Sequence, residues 1–350
     1  MNDLLERPTP SDEPETDRVR RFDRASRSRI ATLARHEYRA AVRSRVLLAL
    51  IAILGLATVA SVYIASVDYA SQLADYNAYK DAAIAGGVQQ VAPSPLALLA
   101  LLRGAMEYLE IIGAVIAITL GYLSITRERG NRTLPLIRSR PVTAGELATG
   151  NALGAVGLIA TLVTITAAVA VLCLGFIGHD WPNGTQILKL LLAYGAAVVY
   201  MTVFYFLGAV ATARAKTPAN GLMIALGVWL IVVLVLPQIG DTLDADNQVP
   251  GGLFASLGLV RADETTILAH FAGYETARTA IEAASFSKHF ERFAFAMTDV
   301  KAKYVDFSLS QLLDVKRIEL EWLAFYAVAL TEGFRRAIRR QPTIPQETTS

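Results

Sequence analysis

Residues 152–177 read ALGAVGLIATLVTITAAVAVLCLGFI, a run with no charged side chain. A helix rises 1.5 Å per residue and needs about 20 apolar residues to cross a hydrocarbon core of about 30 Å, so this run predicts a membrane-spanning helix. Working outward, further charge-free blocks lie at 46–67, 111–125, 190–213 and 220–239. The second reaches spanning length when 108–110 join it as an interfacial turn, and the fourth extends back to 187. A weaker block, 320–336, contains Glu321 and Glu332, but Trp322 and Tyr326 suit an interface and Arg335, Arg336, Arg339 and Arg340 follow it. The fold class expected is an all-α integral membrane protein with six transmembrane helices. With 53% hydrophobic and only 18% charged residues, the 350-residue chain is too apolar for a soluble domain, and the block pattern excludes collagen-like, coiled-coil and disulfide-framework classes.

The polar segments give the orientation. Residues 1–45 hold eleven arginines and eight acids, starting with a Pro/Glu/Asp-rich run at 7–17 that reads as a disordered cytoplasmic tail, 1–29. No short apolar segment follows the first basic residues, so a cleaved signal peptide is not expected. Residues 30–45 place Ile30, Leu33, Ala34, Tyr38 and Ala41 on one helical face, with His36, Arg39 and Arg43 elsewhere, which reads as an interfacial elbow helix that also carries Glu37 and Arg45. Five arginines lie in 126–151 and four in the tail, 337–350 with its approach, whereas 68–107 has only Lys80 and Arg103 and 178–185 has none. An excess of Lys and Arg in short loops marks the cytoplasm, so both termini are expected there. Residues 240–319, long and mixed in charge, then form an extracytoplasmic helical domain.

The chemistry-bearing motifs are few. There is no GxxxxGK[ST] phosphate loop, no HExxH and no Cys/His ligand spacing; the single Cys173 can form no internal disulfide. His36, His179, His270 and His289 are scattered. No catalytic residue, cofactor or metal is expected in this chain, and a net charge of +2 gives no reason to expect nucleic acid. Lys189, Glu107, Glu110 and Glu332 fall near predicted span ends; Glu107 and Glu110 read either as interfacial anchors or as a candidate outer gate. Gly150, Gly154 and Gly157 form a small-residue step that reads either as a helix-packing face or as a flexible helix entry. Phe286, Phe290, Phe293 and Met297 recur at helical spacing, either as core or as a surface for a lipid-like substrate or an external partner, and 68–83 could pack against them.

The densest stretch is 126–151, TRERGNRTLPLIRSRPVTAGELATGN. Leu134, Leu136 and Ile137 form an apolar patch among arginines, and Thr143 with Glu146 forms a T-x-x-E capping box that starts the helix leading into the third span. It reads either as a positive-inside loop or as a docking surface for a partner's groove. Arg35-His-Glu37-Tyr-Arg39 with Arg43-Ser44-Arg45, then Arg127-Glu128-Arg129, Arg132-Thr133-Leu134 and Ser139-Arg140-Pro141-Val142, together resemble ABC-2 type transporter permeases. Within these the chain looks most like the multi-copper enzyme maturation branch, which includes the nitrous-oxide-reductase maturation permeases. It departs from that pattern at Asn131-Arg132 and at Asn151.

The resemblance implies a plasma-membrane permease subunit for export, with ATP and Mg bound by a separate ABC ATPase subunit, a second permease chain and the lipid bilayer as partners. By position, Arg127, Glu128, Arg129, Arg132, Thr133, Leu134, Leu136 and Ile137 inherit the ATPase-docking role. The substrate class stays open between copper-enzyme maturation, a sulfur compound, a lipid and a hydrophobic drug. The alternatives are an ATP-independent membrane scaffold whose external domain binds a protein partner, and a gradient-driven carrier.

Overall fold

The computed structural model describes residues 15–43, 45–87, 97–130, 143–243, 257, 266–267, 269–270, 272–301, 304 and 307–339; for 15–25, 45–46, 128–130, 144 and 274–275 it describes the backbone alone. The described residues are helical, without a strand. The helices are α1 (Glu15–Val42), α2 (Arg45–Ala85), α3 (Arg103–Tyr108), α4 (Ala114–Gly130), α5 (Ala144–Phe176), α6 (Gly184–Arg214), α7 (Pro218–Trp229), α8 (Leu236–Leu243), α9 (Ala272–Ala284), α10 (Phe286–Met297), α11 (Leu309–Val315) and α12 (Arg317–Arg339). A 3-10 turn, Leu98–Leu102, leads into α3; π-helical turns at Leu109–Gly113 and Leu230–Val235 join α3 to α4 and α7 to α8.

Among the described residues, five continuous helical stretches are long and apolar enough to cross a bilayer: Leu47–Ala85, Leu98–Arg127, Gly145–Phe176, Gly184–Arg214 and Pro218–Leu243. They match the five charge-free blocks, with only Val46 and Ile177 falling outside. The weaker block became α12, which falls below that hydropathy because Glu319, Glu321, Glu332 and its arginines interrupt it. It nevertheless lies along α5 and α6: Phe334 stacks on Phe206 with centroids 5.0 Å apart, and an Arg335 guanidinium N–H donates to Thr149 Oγ1 at 3.4 Å.

Two boundaries differ from the sequence expectation. Helix α1 begins at Glu15, inside the segment read as a disordered tail, because from Pro14 onward the residues include no glycine or proline until the helix ends. Residues 1–14 lie outside the described residues, as do 340–350 of the C-terminal tail. Helix α2 does not stop where its apolar residues end near Val67 but runs 41 residues to Ala85, through an alanine-rich polar stretch free of breakers. It ends at Gly86-Gly87, where Gly87 takes φ +88, a left-handed value that only glycine adopts without strain.

Helix α6 is the centre of the bundle, packed by α4, α5, α7, α10 and α12, with Tyr200, Tyr205 and Phe206 almost fully buried. Its crossing with α4 is very close: a Cβ at Gly121 would sit 2.1 Å from the Tyr205 carbonyl oxygen, and one at Gly208 would sit 2.4 Å from that of Ile118. With lipid on the outside as apolar as the side chains within, such close backbone packing takes the place of the hydrophobic effect. Gly195, on the same helix, faces open space.

Both π turns are tied by hydroxyls. The Glu110 carbonyl accepts a hydrogen bond from the Tyr200 hydroxyl at 2.9 Å; the Val232 carbonyl accepts from Ser285 Oγ at 2.7 Å and Ser287 Oγ at 3.3 Å. These contacts bring α10 into the bundle, where Phe286 and Phe290 stack on Tyr200 at 5.2 and 4.5 Å. The stripe Phe286, Phe290, Phe293 and Met297 is therefore core.

Replacing Gly121 with leucine forces backbone apart at this crossing. Such overpacking costs about 1–3 kcal/mol or more; Gly121→Leu is expected to lower the thermal midpoint of the purified chain in mild detergent, while Gly195→Leu leaves it within error.

Candidate functional site

Helix α1 lies against the first turns of α5, and both chains run in the same direction there. Leu33 fills the space over Gly150, where a Cβ would come within 2.5 Å of Leu33 Cβ; the Ala34 carbonyl and Glu37 Cβ cover Gly154 at 2.7 and 2.8 Å; the Tyr38 hydroxyl meets Thr161 Oγ1 at 3.2 Å. The small-residue step is thus a packing face, and its occupant is the helix expected at the interface.

Polar contacts along the same seam reach the loop 126–151 from both sides. On the entering side, Arg127 Nη2 donates to both Glu37 carboxylate oxygens at 2.8 Å, and Ser124 Oγ donates to Glu37 Oε1 at 2.8 Å. The Tyr205 hydroxyl approaches the same oxygen at 3.5 Å. Glu37 is 5% exposed, so its charge has left water and is balanced by groups from α4 and α6. On the exiting side, Arg29 donates to Glu146 Oε1 from Nη2 at 2.6 Å and from Nε at 3.2 Å.

Glu146 is also the closing residue of the capping box, the third residue of α5. Its backbone N–H donates to Thr143 Oγ1 at 3.2 Å, and the Thr143 N–H donates to Glu146 Oε2 at 2.9 Å. One carboxylate therefore caps α5 and fastens it to α1. Arg29 and Glu37 are eight residues apart, about two turns and 12 Å on one helix face. The loop's two ends are pinned to that face.

Of the residues singled out from sequence, Glu37, Arg127, Thr143 and Glu146 meet in this seam. Glu128 and Arg129 extend α4 in backbone only, and Arg45 begins α2 in the same sense. Arg132, Thr133, Leu134, Leu136 and Ile137 lie outside the described residues. Arg39 and Arg43 are exposed, linked by a backbone bond from Arg43 N–H to the Arg39 carbonyl at 3.1 Å. Sequence reasoning missed Arg29, Ser124 and Tyr205. The eight-residue spacing of Arg29 and Glu37 was a usable signal; partners from 87 to 168 residues away were not.

The two outer glutamates separate. Glu107 is partly exposed and accepts from Arg103 Nε at 2.9 Å, an anchor-like pair one turn apart. Glu110, at the first π turn, is 7% exposed and lies beside Ser287 of α10. Near it, Lys288 Nζ pairs with Glu291 at 2.7 Å and Asp241 at 3.1 Å. Glu110 therefore sits not at an exposed span end but inside the bundle, because α10 carries polar residues in beside it. A second buried pair, Lys189 Nζ to Asp299 Oδ1 at 2.7 Å, fixes the end of α10 to the start of α6; burial holds the Asp299 carboxyl above the usual carboxylate range despite the lysine.

Five bilayer-length helices, α6 among them, define an α-helical, multi-pass membrane protein. The chain belongs to the ABC-2 family transporter proteins, whose family profile matches residues 31–330. No curated protein matches it. The match covers α1 from Ala31, all five apolar helices and most of α12, and it defines a membrane component that works with an ABC ATPase subunit in a lipid bilayer.

The seam predicts an asymmetry. Arg127→Ala leaves the buried Glu37 carboxylate with hydroxyl partners alone, whereas Glu37→Gln leaves a guanidinium that is already 29% exposed in its side chain. Breaking buried pairs costs about 3–5 kcal/mol, less where water reaches one partner. Arg127→Ala is expected to destabilise the chain by roughly 2–3 kcal/mol, and Glu37→Gln by less, in denaturation of the detergent-solubilised protein.

Proposed function

We propose that this chain is the transmembrane half of an ATP-driven ABC-2 exporter in the plasma membrane, with six spans, both termini in the cytoplasm and a second permease chain beside it. Helix α12 is the sixth span, residues 240–319 form the extracytoplasmic part, and the loop 126–151 docks on the ATPase subunit through Leu134, Leu136 and Ile137. The observation that carries this reading is the double pinning of the loop: Arg127 to Glu37 before it and Glu146 to Arg29 after it.

A loop free at either end would absorb a pull. Pinned at both, it passes movement of the ATPase to α4, α5 and α1 together, and Tyr205 and the glycine crossing carry it to α6. The arginines on this side are what positive-inside topology requires of the ATPase-facing surface. The family match does not reach to the copper-enzyme branch, so the substrate class is open at this level.

The test is purification of the tagged chain from its host membrane with identification of stoichiometric partners. An ATP-hydrolysing subunit is expected with the wild type, absent from a still-folded Leu134→Asp/Leu136→Asp/Ile137→Asp variant, and retained by Glu37→Gln, which alters the pinning and not the docking patch. Absence of any ATPase, even after cross-linking, overturns the proposal in favour of an ATP-independent scaffold that binds an external partner through 240–319. Glu110 beside Ser287 and Lys288 is the observation that favours a gradient-driven carrier, and that reading requires transport by the chain without an ATPase.

A further inference from the structure

Helices α2 and α3 touch at Ser61 and Gly104, where a Cβ on the glycine would overlap the serine hydroxyl. Between them opens a cleft of about 520 Å³, within the range of drug-sized ligand sites. Its α2 wall presents Ala65, Asp68 and Tyr69, its α3 wall Glu107 and Tyr108, and Asp299, in the turn after α10, closes it.

The lining charges are unequal. Among the described residues Arg103 is the one cation lining it and is held by Glu107 at 2.9 Å; Asp299, 7% exposed, is held by Lys189. Asp68 has no ion-pair partner among the described residues. The cleft thus combines apolar wall, an excess of carboxylate and two tyrosine rings. Carboxylates attract a cation, tyrosine faces stabilise one that is poorly hydrated, and the apolar wall selects one with a hydrophobic body.

We infer that this cleft binds an amphipathic organic cation, a singly charged group carried on an apolar body. An anion of the same shape would face Asp68 and Glu107 without a free counter-charge, and a small hydrated cation would leave the apolar wall unfilled. The inference rests on the exporter reading, whose substrate class it names.

The probe is tetraphenylphosphonium, with tetraphenylborate as its isosteric anion, measured by equilibrium dialysis against the purified chain in nanodiscs, with protein-free nanodiscs subtracted. Saturable, protein-dependent binding of the phosphonium and none of the borate is expected. Neutralising the two exposed carboxylates, Asp68→Asn with Glu107→Gln, weakens it roughly tenfold. Ala65→Trp, which fills the wall, abolishes it. Asp299 is left intact, because removing it would strand buried Lys189.

The inference is overturned by phosphonium binding no greater than in protein-free nanodiscs, by equal saturable binding of the borate, or by unchanged affinity in both variants. No ATPase is present in this measurement, so its failure leaves the partner identification untouched.

Discussion

The buried carboxylate of Glu37 is the constraint on which the arrangement depends. A charge taken out of water must be met by donors with good geometry, and here three side chains from two other helices supply them: Arg127 and Ser124 at the end of α4, and Tyr205 on α6. Helix α1 consequently cannot drift over a membrane surface. Gly150 and Gly154 let it come close enough to α5 for that carboxylate to reach its partners, so a steric feature of one helix and an electrostatic feature of another are satisfied together.

The same logic recurs on the opposite side of the bundle, with hydroxyls in place of charges. Tyr200 meets the backbone at the first π turn, and Ser285 and Ser287 meet it at the second. Helix α10 is seated by these bonds, by aromatic stacking on Tyr200 and by the Lys189 to Asp299 pair. Both sides converge on α6, which explains why that helix is the most buried of the five apolar ones.

Much of this was legible in the sequence where physics is local. Charge-free blocks of bilayer length located all five apolar helices, and the T-x-x-E pattern located the start of α5 to the residue. Glu37 and Arg127 were each flagged, but separately, since a pairing across 90 residues leaves no periodic trace. For α2, apolar content marks only the span that ends near Val67, while helix continuation follows from the absence of breakers and carries the helix to Ala85. Glu110 was misplaced for a different reason: its surroundings are set by α10, and the stripe that seats α10 was visible whereas its destination was not. Helix α12 has little hydropathy of its own because charged pairs one turn apart, Arg317 with Glu321 and Arg336 with Glu332, lie toward its two ends.

The π turn between α3 and α4 has a geometric effect beyond its hydrogen bond. Widening one turn by a residue resets the angular phase of everything after it, by about 100° relative to an unbroken helix. The half of this helix that carries Glu110 toward α10 and the half that carries Ser124 and Arg127 toward α1 are therefore clocked independently, although one rod contains both. The widened turn sets a fixed angular offset between the two ends of one axle, which lets a single helix serve two faces of the bundle.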